Sequence, residues 1–257
     1  MARTFASPGN TDWINCGNIA ALDGLSAVSV AALVKFDSFY ANAPSLVSKV
    51  TFNGTGSDFN GWAVQMWGAS YNQVMLRISN GNVSVVSAPN TFSPGVWYRI
   101  CCVYDGSLTG DTNRSKIWID GSQATGTADV AGVPASIGAC TAEVEIGNMH
   151  TGSSEIGIAG SLAEVGVWNR ALTADEAVSV TSGYSPAFFQ SGLVLYMPCT
   201  GQNSPEPNVV PGGASIVGAV TNATKSAHPD FMRYPGGVLV GNVLRPRPFA
   251  PGPTTKR

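Results

Sequence analysis

Short runs in which β-branched or aromatic residues alternate with polar ones recur along this chain, and clusters of Gly, Asn, Asp or Pro close nearly every run. A period of two sends successive side chains to opposite faces of a strand, so the pattern calls for sheets that bury one face against a partner. The runs are Asp12 to Cys16, Ala27 to Phe36, Ser45 to Phe52, Trp62 to Trp67, Val74 to Ser79, Asn82 to Ser87, Val96 to Tyr104, Lys116 to Ile119, Glu143 to Ile146, Gly160 to Trp168 and Leu193 to Met197. Strands at this spacing predict an all-β sandwich of two antiparallel sheets. One segment breaks the pattern. Thr173-Ala174-Asp175-Glu176 has capping-box spacing, and Ala177, Val178 and Val180 supply a short apolar face before Gly183. It predicts a single short helix that serves as a connector.

With 257 residues and 44% hydrophobic content, the chain can bury a core without disulfides or a structural metal. Its longest apolar uncharged stretch, Leu25 to Val34, is broken by Ser26 and Ser29 and falls short of the roughly 20 residues that cross a bilayer. The first nine residues hold one positive charge and no apolar segment before Asn10-Thr11-Asp12, so no secretion signal is expected. Cys16, Cys101, Cys102, Cys140 and Cys199 form neither a CxxC pair nor a zinc-type spacing, although a disulfide stays open. Adjacent Cys101 and Cys102 must face opposite sides of a strand, which makes at least one an inert buried thiol.

From Ser204 onward Pro205, Pro207, Pro211, Pro229 and Pro235 change the texture, and the chain ends in the proline-interleaved stretch from Arg245 to Pro253. This places a domain at residues 1–203 and an extended Pro- and Gly-rich C-terminal arm at 204–257. All 16 acidic residues precede residue 231, whereas Arg233, Arg245, Arg247, Lys256 and Arg257 follow without one acid. Bases spread among prolines suit an acidic protein neighbour better than nucleic acid.

Between Gly95 and Glu176 the chain carries an ordered set of motifs: Gly95-Val96-Trp97, Tyr104-Asp105-Gly106, Lys116-Ile117-Trp118-Ile119-Asp120-Gly121 and Glu145-Ile146-Gly147. They lead to Gly160-Ser161-Leu162-Ala163-Glu164-Val165-Gly166-Val167-Trp168-Asn169-Arg170-Ala171-Leu172-Thr173-Ala174-Asp175-Glu176. The set resembles the laminin G-like and pentraxin-like jelly rolls of the concanavalin A-like lectin/glucanase superfamily over roughly residues 10 to 200. The Leu162, Val165 and Trp168 spacing breaks strict alternation and predicts a bulge near Ala163-Glu164 or burial of both faces.

The resemblance implies a jelly roll but not one chemistry. The acid-rich strand of the related glucanases is missing. Glu143 and Glu145 could share a groove, but like charges at that spacing read better as a solvated face. His150 and His228 lack a neighbouring nucleophile motif. Relatives place a calcium ion at one rim, and Asp58, Asn60, Asp111, Asn113, Asn148 and Glu155 lie on expected loops, yet no spacing fixes a site and no metal is assigned. For sugars, Trp62, Val64 and Met66 form one strand face, leaving Trp67 with Tyr71 and Arg77 as a candidate surface platform. The leading expectation is a non-catalytic structural protein of a bacteriophage virion, such as a head-decoration protein. Its arm, through Arg245, Arg247, Phe249, Lys256 and Arg257, would anchor it at the virion surface to the major capsid protein or neighbouring copies. The alternative is a carbohydrate-binding adhesin that recognises host glycans.

Overall fold

A computed structural model describes residues 2–6, 12–40, 43–52, 59–67, 70–89, 92–149, 157–200, 204–213, 215–228, 231–235, 237–240 and 243–246, with the backbone alone for residues 52, 59, 231, 237–240 and 243–246. Two large antiparallel sheets face each other, as the alternation predicts. The first has the order β10 (Ser122–Gln123), β9 (Ser115–Ile119), β8 (Trp97–Asp105), β3 (Ala27–Ser38), β13 (Ala159–Trp168), β1 (Ala2–Phe5) and β17 (Thr224–Ser226). β14 (Leu193–Met197) adds to one end of β13. The second has the order β11 (Thr127–Val130), β7 (Asn82–Ser87), β6 (Gln73–Asn80), β5 (Phe59–Trp67), β4 (Ser45–Phe52), β12 (Glu145–Ile146), β2 (Trp13–Asn15), β16 (Val217–Thr221) and β15 (Glu206–Pro207). β18 (Phe231–Tyr234), β19 (Gly237–Val240) and β20 (Val243–Pro246) form a separate three-stranded sheet.

The core lies between the sheets. Trp62, Val64 and Met66 from β5 meet Val30, Ala32, Val34 and Phe36 from β3, with Ile100, Cys102 and Tyr104 from β8 beside them. Cys101 faces outward into a second cluster with Trp118, Trp168, Leu172, Ala177 and Val180, so the adjacent cysteines do divide between two faces. That second cluster explains the terminal motif. α2 (Ala174–Thr181) starts with Thr173 and Glu176 capping each other's backbone amides, and Glu176 receives both guanidinium nitrogens of Arg170 at 2.7 Å. The Ser29 hydroxyl donates to Arg170 O and accepts from Leu172 N, which ties the turn to β3.

The bulge is present and both faces of β13 are buried: its register on β3 shifts between Ala163 and Gly166, and Glu164 takes a φ of 53°. The arm expected to begin at residue 204 instead contributes β15 and β16 to one sheet and β17 to the other. Its prolines are compatible with this because β15 is an edge strand, where a missing N–H costs no ladder bond. Beyond β17, Met232 is fully buried against Ala2, Leu33 and Ala163, and Arg233 exchanges backbone hydrogen bonds with Gly183 and Ser185.

All five cysteines are buried free thiols. Burial raises Cys102 from 9.0 to about 12 and raises Cys16, Cys101 and Cys199 as well. Burial, with Glu164 beside them, raises the phenols of Tyr196 and Tyr234. The unfolded chain ionises these groups at lower pH than the folded chain, so their contribution is complete below about pH 9 and is lost as pH rises. The thermal midpoint should therefore fall steeply between about pH 9 and 11. A midpoint flat across that range by scanning calorimetry would contradict this burial.

Candidate functional site

Alternation that buries Trp62, Val64 and Met66 turns Ala63, Gln65 and Trp67 to the outer face of the nine-stranded sheet. The registers then align Arg77, Ala63, Ser48, Glu145, Asn15 and Ala219 in one row across six strands, from β6 to β16. Three strand spacings of about 4.8 Å separate Arg77 from Glu145. The two residues between them, Ala63 and Ser48, are small and buried, and the loop at Asn148 and Met149 fills the space over them.

Met149 lies over this stretch of the row. It packs on Val50 and Ala63, and Gln65 Nε2 is 3.7 Å from its Sδ. Ser48 Oγ donates to Asn148 O at 2.9 Å, which holds the covering loop to β4. Beside Met149 remains a cleft of about 210 Å³ lined by Ser48, Val50, Ala142, Glu143, Glu145 and Met149.

A buried lysine positions the far wall. Lys49 points to the opposite side of β4, with a side chain 0% exposed. Its Nζ reaches Asn18 Oδ1 at 2.8 Å, Asp23 Oδ1 at 2.8 Å and Ala142 O at 2.5 Å. Val144 exchanges backbone hydrogen bonds with Cys16 and Gly17, and the Asn15 amide donates to Glu143. The wall is thus preformed. At the other end of the row, burial lowers the Arg77 guanidinium to about 10.

The structure brings some expected site residues together and separates others. Trp67 is half-buried on the outer face, opposite Gln73. Arg77 shares that face, four residues along β6 from Gln73, or about 13 Å. Tyr71 sits in a turn at φ 52° and packs against the main core, so the three residues do not form one platform. Glu143 and Glu145 both line the cleft. Arg245 falls in β20, whereas Arg247, Phe249, Lys256 and Arg257 lie outside the described residues, as do Asp58, His150 and Glu155.

The remaining calcium candidates serve local backbone. Asp111 accepts from Gly132 N and Val133 N, Asn60 Oδ1 accepts from Gly81 N, and Asn113 Nδ2 donates to Thr109 O. Asn148 is buried in the loop over β4. Among the described residues no group of three or more His, Cys, Asp or Glu could hold a metal ion, and no helix is long and apolar enough to cross a membrane.

Residues 8–178 match the family described as the concanavalin A-like lectin/glucanases superfamily. The chain belongs to this superfamily. Among solved structures of that fold, a putative carbohydrate binding protein from Bacteroides ovatus superposes with a TM-score of 0.60 at 18% identity, over 87% of this chain and 60% of that one. The chain thus spans less than two thirds of that relative's length. A heptameric SAP-like pentraxin from Limulus polyphemus gives 0.52 at 22% identity, over 70% of this chain and 81% of that one. The CBM40 of the Ruminococcus gnavus IT-sialidase, bound to α2,3-sialyllactose, gives 0.51 at 17% identity, over 69% and 96%. No curated protein matches the sequence.

In this superfamily member the cleft residues that sequence reasoning missed are Ser48, Val50, Ala142 and Met149, with Asn15 and Gln65 around them. Alternation from Trp62 places Gln65 outside. No local signal reports that residues near positions 48 and 145 become neighbours.

Proposed function

We propose that this chain is a carbohydrate-binding module that takes saccharides on the outer face of its nine-stranded sheet. The observation that carries the reading is the cleft of about 210 Å³ beside Met149, with Glu143 and Glu145 in its lining and Trp67 on the same sheet face. A sugar presents hydroxyls that donate to carboxylates and accept from guanidinium and amide groups, and a C–H face that stacks on an indole. Glu145, Glu143 and Arg77 supply the first kind of contact and Trp67 the second. Membership of a superfamily named for lectins and glucanases supports the reading, as do two structural neighbours, one named a putative carbohydrate binding protein and the other bound to α2,3-sialyllactose.

Binding suits the geometry better than hydrolysis. Glycosidases flank the scissile bond with two carboxyl groups, whereas Glu143 and Glu145 are two residues apart on one wall. The virion role placed first by the sequence gains nothing from these relatives, and most of the arm residues that would anchor it lie outside the described residues.

A glycan array probed with the full chain tests the proposal. We expect selective binding that falls about tenfold in Glu145→Gln and in Trp67→Ala, about 1.4 kcal/mol each, with thermal midpoints unchanged within a few degrees. An array without a bound glycan, or both variants binding like the parent, would overturn it.

A further inference from the structure

We infer that the eight-stranded sheet carries a second saccharide site, a groove beside Lys116 on the far side of the sandwich; this rests on the carbohydrate-binding reading. On β9, Ile117 and Ile119 enter the core, so Lys116 and Trp118 face outward beside Val103 of β8 and Gln123 of β10. A recess of about 90 Å³ is floored by Val103 and Trp118 and bounded by Leu172 of the turn before α2. It continues past Lys116, Asn113 and Gln123 into an open mouth of about 350 Å³ edged by Thr112 and Thr125. The combined space suits one or two sugar rings rather than a large ligand.

The walls are rigid. The short helix α1 (Asp111–Arg114) is tied down by the Asp111 carboxylate on Gly132 N and Val133 N and by Arg114 donating to Leu108 O and Val133 O. The groups that point into the groove are a different set. The Lys116 ammonium, the Gln123 amide and the Thr112 and Thr125 hydroxyls have no hydrogen-bond or ion-pair partner among the described residues, and Asn113 uses only its Nδ2. A preformed recess with an apolar floor and convergent donors and acceptors left unused is the arrangement that a small polar ligand completes. Around the groove Lys116 and Arg114 are matched in number by Asp105 and Asp111, so the local charges sum to zero. Balanced charge and mixed hydrogen-bonding capacity fit a neutral, hydroxyl-rich ring over an anion. Two sites on opposite faces would make a single chain bivalent, and a surface bearing many copies of the glycan would hold it far more tightly than either site alone.

Amide-resolved NMR of the full chain, titrated with methyl glycosides of glucose, galactose, mannose and N-acetylglucosamine, tests this. We expect one glycoside to produce two independent saturating sets of shifts, one around Asn113, Lys116 and Gln123 and one around Ser48 and Glu145. Lys116→Ala and Gln123→Ala should each weaken the first set at least tenfold and leave the second intact; both residues are on the surface, so the fold should hold. Shifts confined to Ser48 and Glu145 would refute the second site while sparing the first. Shifts confined to the Lys116 groove would support the second site and refute the first. Shifts at neither place would refute both, and a Lys116 set unchanged in both variants would refute the groove.

Discussion

Glu164→Ala lowers unfolding stability by about 3–5 kcal/mol, the cost of removing one partner from a buried charged network. Its carboxylate, 1% exposed, accepts from Tyr196 Oη at 2.5 Å and Tyr234 Oη at 2.6 Å, with His228 Nε2 at 3.2 Å. Tyr196 also shares a hydrogen bond with Ser185. Deleting the carboxylate leaves buried phenols and an imidazole without their acceptor, and desolvation of those groups dominates the loss. Glu164→Gln keeps the shape and one acceptor oxygen, so it should cost less than half as much. Because His228, Met232 and Tyr234 pack against β13, the alanine variant should also expose the chain around Met232 and Tyr234 to limited proteolysis before the sandwich unfolds. A midpoint shift in urea worth under about 1 kcal/mol would show that this carboxylate does not fasten the segment.

Lys49→Ala should cost a similar amount, about 3–5 kcal/mol, from lost packing of a fully buried stem together with lost hydrogen bonds. Asp23 is 27% exposed and can return its charge to water, but the Ala142 carbonyl loses the donor that holds it. Lys49→Met restores most of the volume and isolates the polar part, for which about 1–3 kcal/mol is expected. Because Ala142 and Glu143 form the cleft wall, saccharide affinity should fall in Lys49→Met at temperatures where the chain remains folded. Urea unfolding and calorimetric binding on the same sample check both; a Met variant with parental stability and affinity contradicts this role.

The strands were legible where the chain alternates, and Ser45–Phe52, Asn82–Ser87 and Leu193–Met197 appear with the bounds their patterns indicate. The capping box and the bulge at Glu164 were legible for the same reason, since both are local. β1 was missed because four residues carry too little periodicity, and β15 to β17 because proline density reads as an arm when pairing at an edge is not considered. Lys49 breaks the polar-out rule because Asn18, Asp23 and Ala142 converge on its ammonium from distant loops. The same non-local convergence hid the site. Ser48 and Glu145 are adjacent only because β12 inserts between β4 and β2, and strand order is not written in any local pattern.

The most direct test of the central claim is a crystal structure of the chain with the saccharide that binds most tightly on the array. Sugar density is expected on the outer face of the nine-stranded sheet, in the cleft beside Met149, with hydroxyls on Glu143 and Glu145. Density only on other surfaces, with the cleft lined by Glu143, Glu145 and Met149 holding solvent alone, would contradict it.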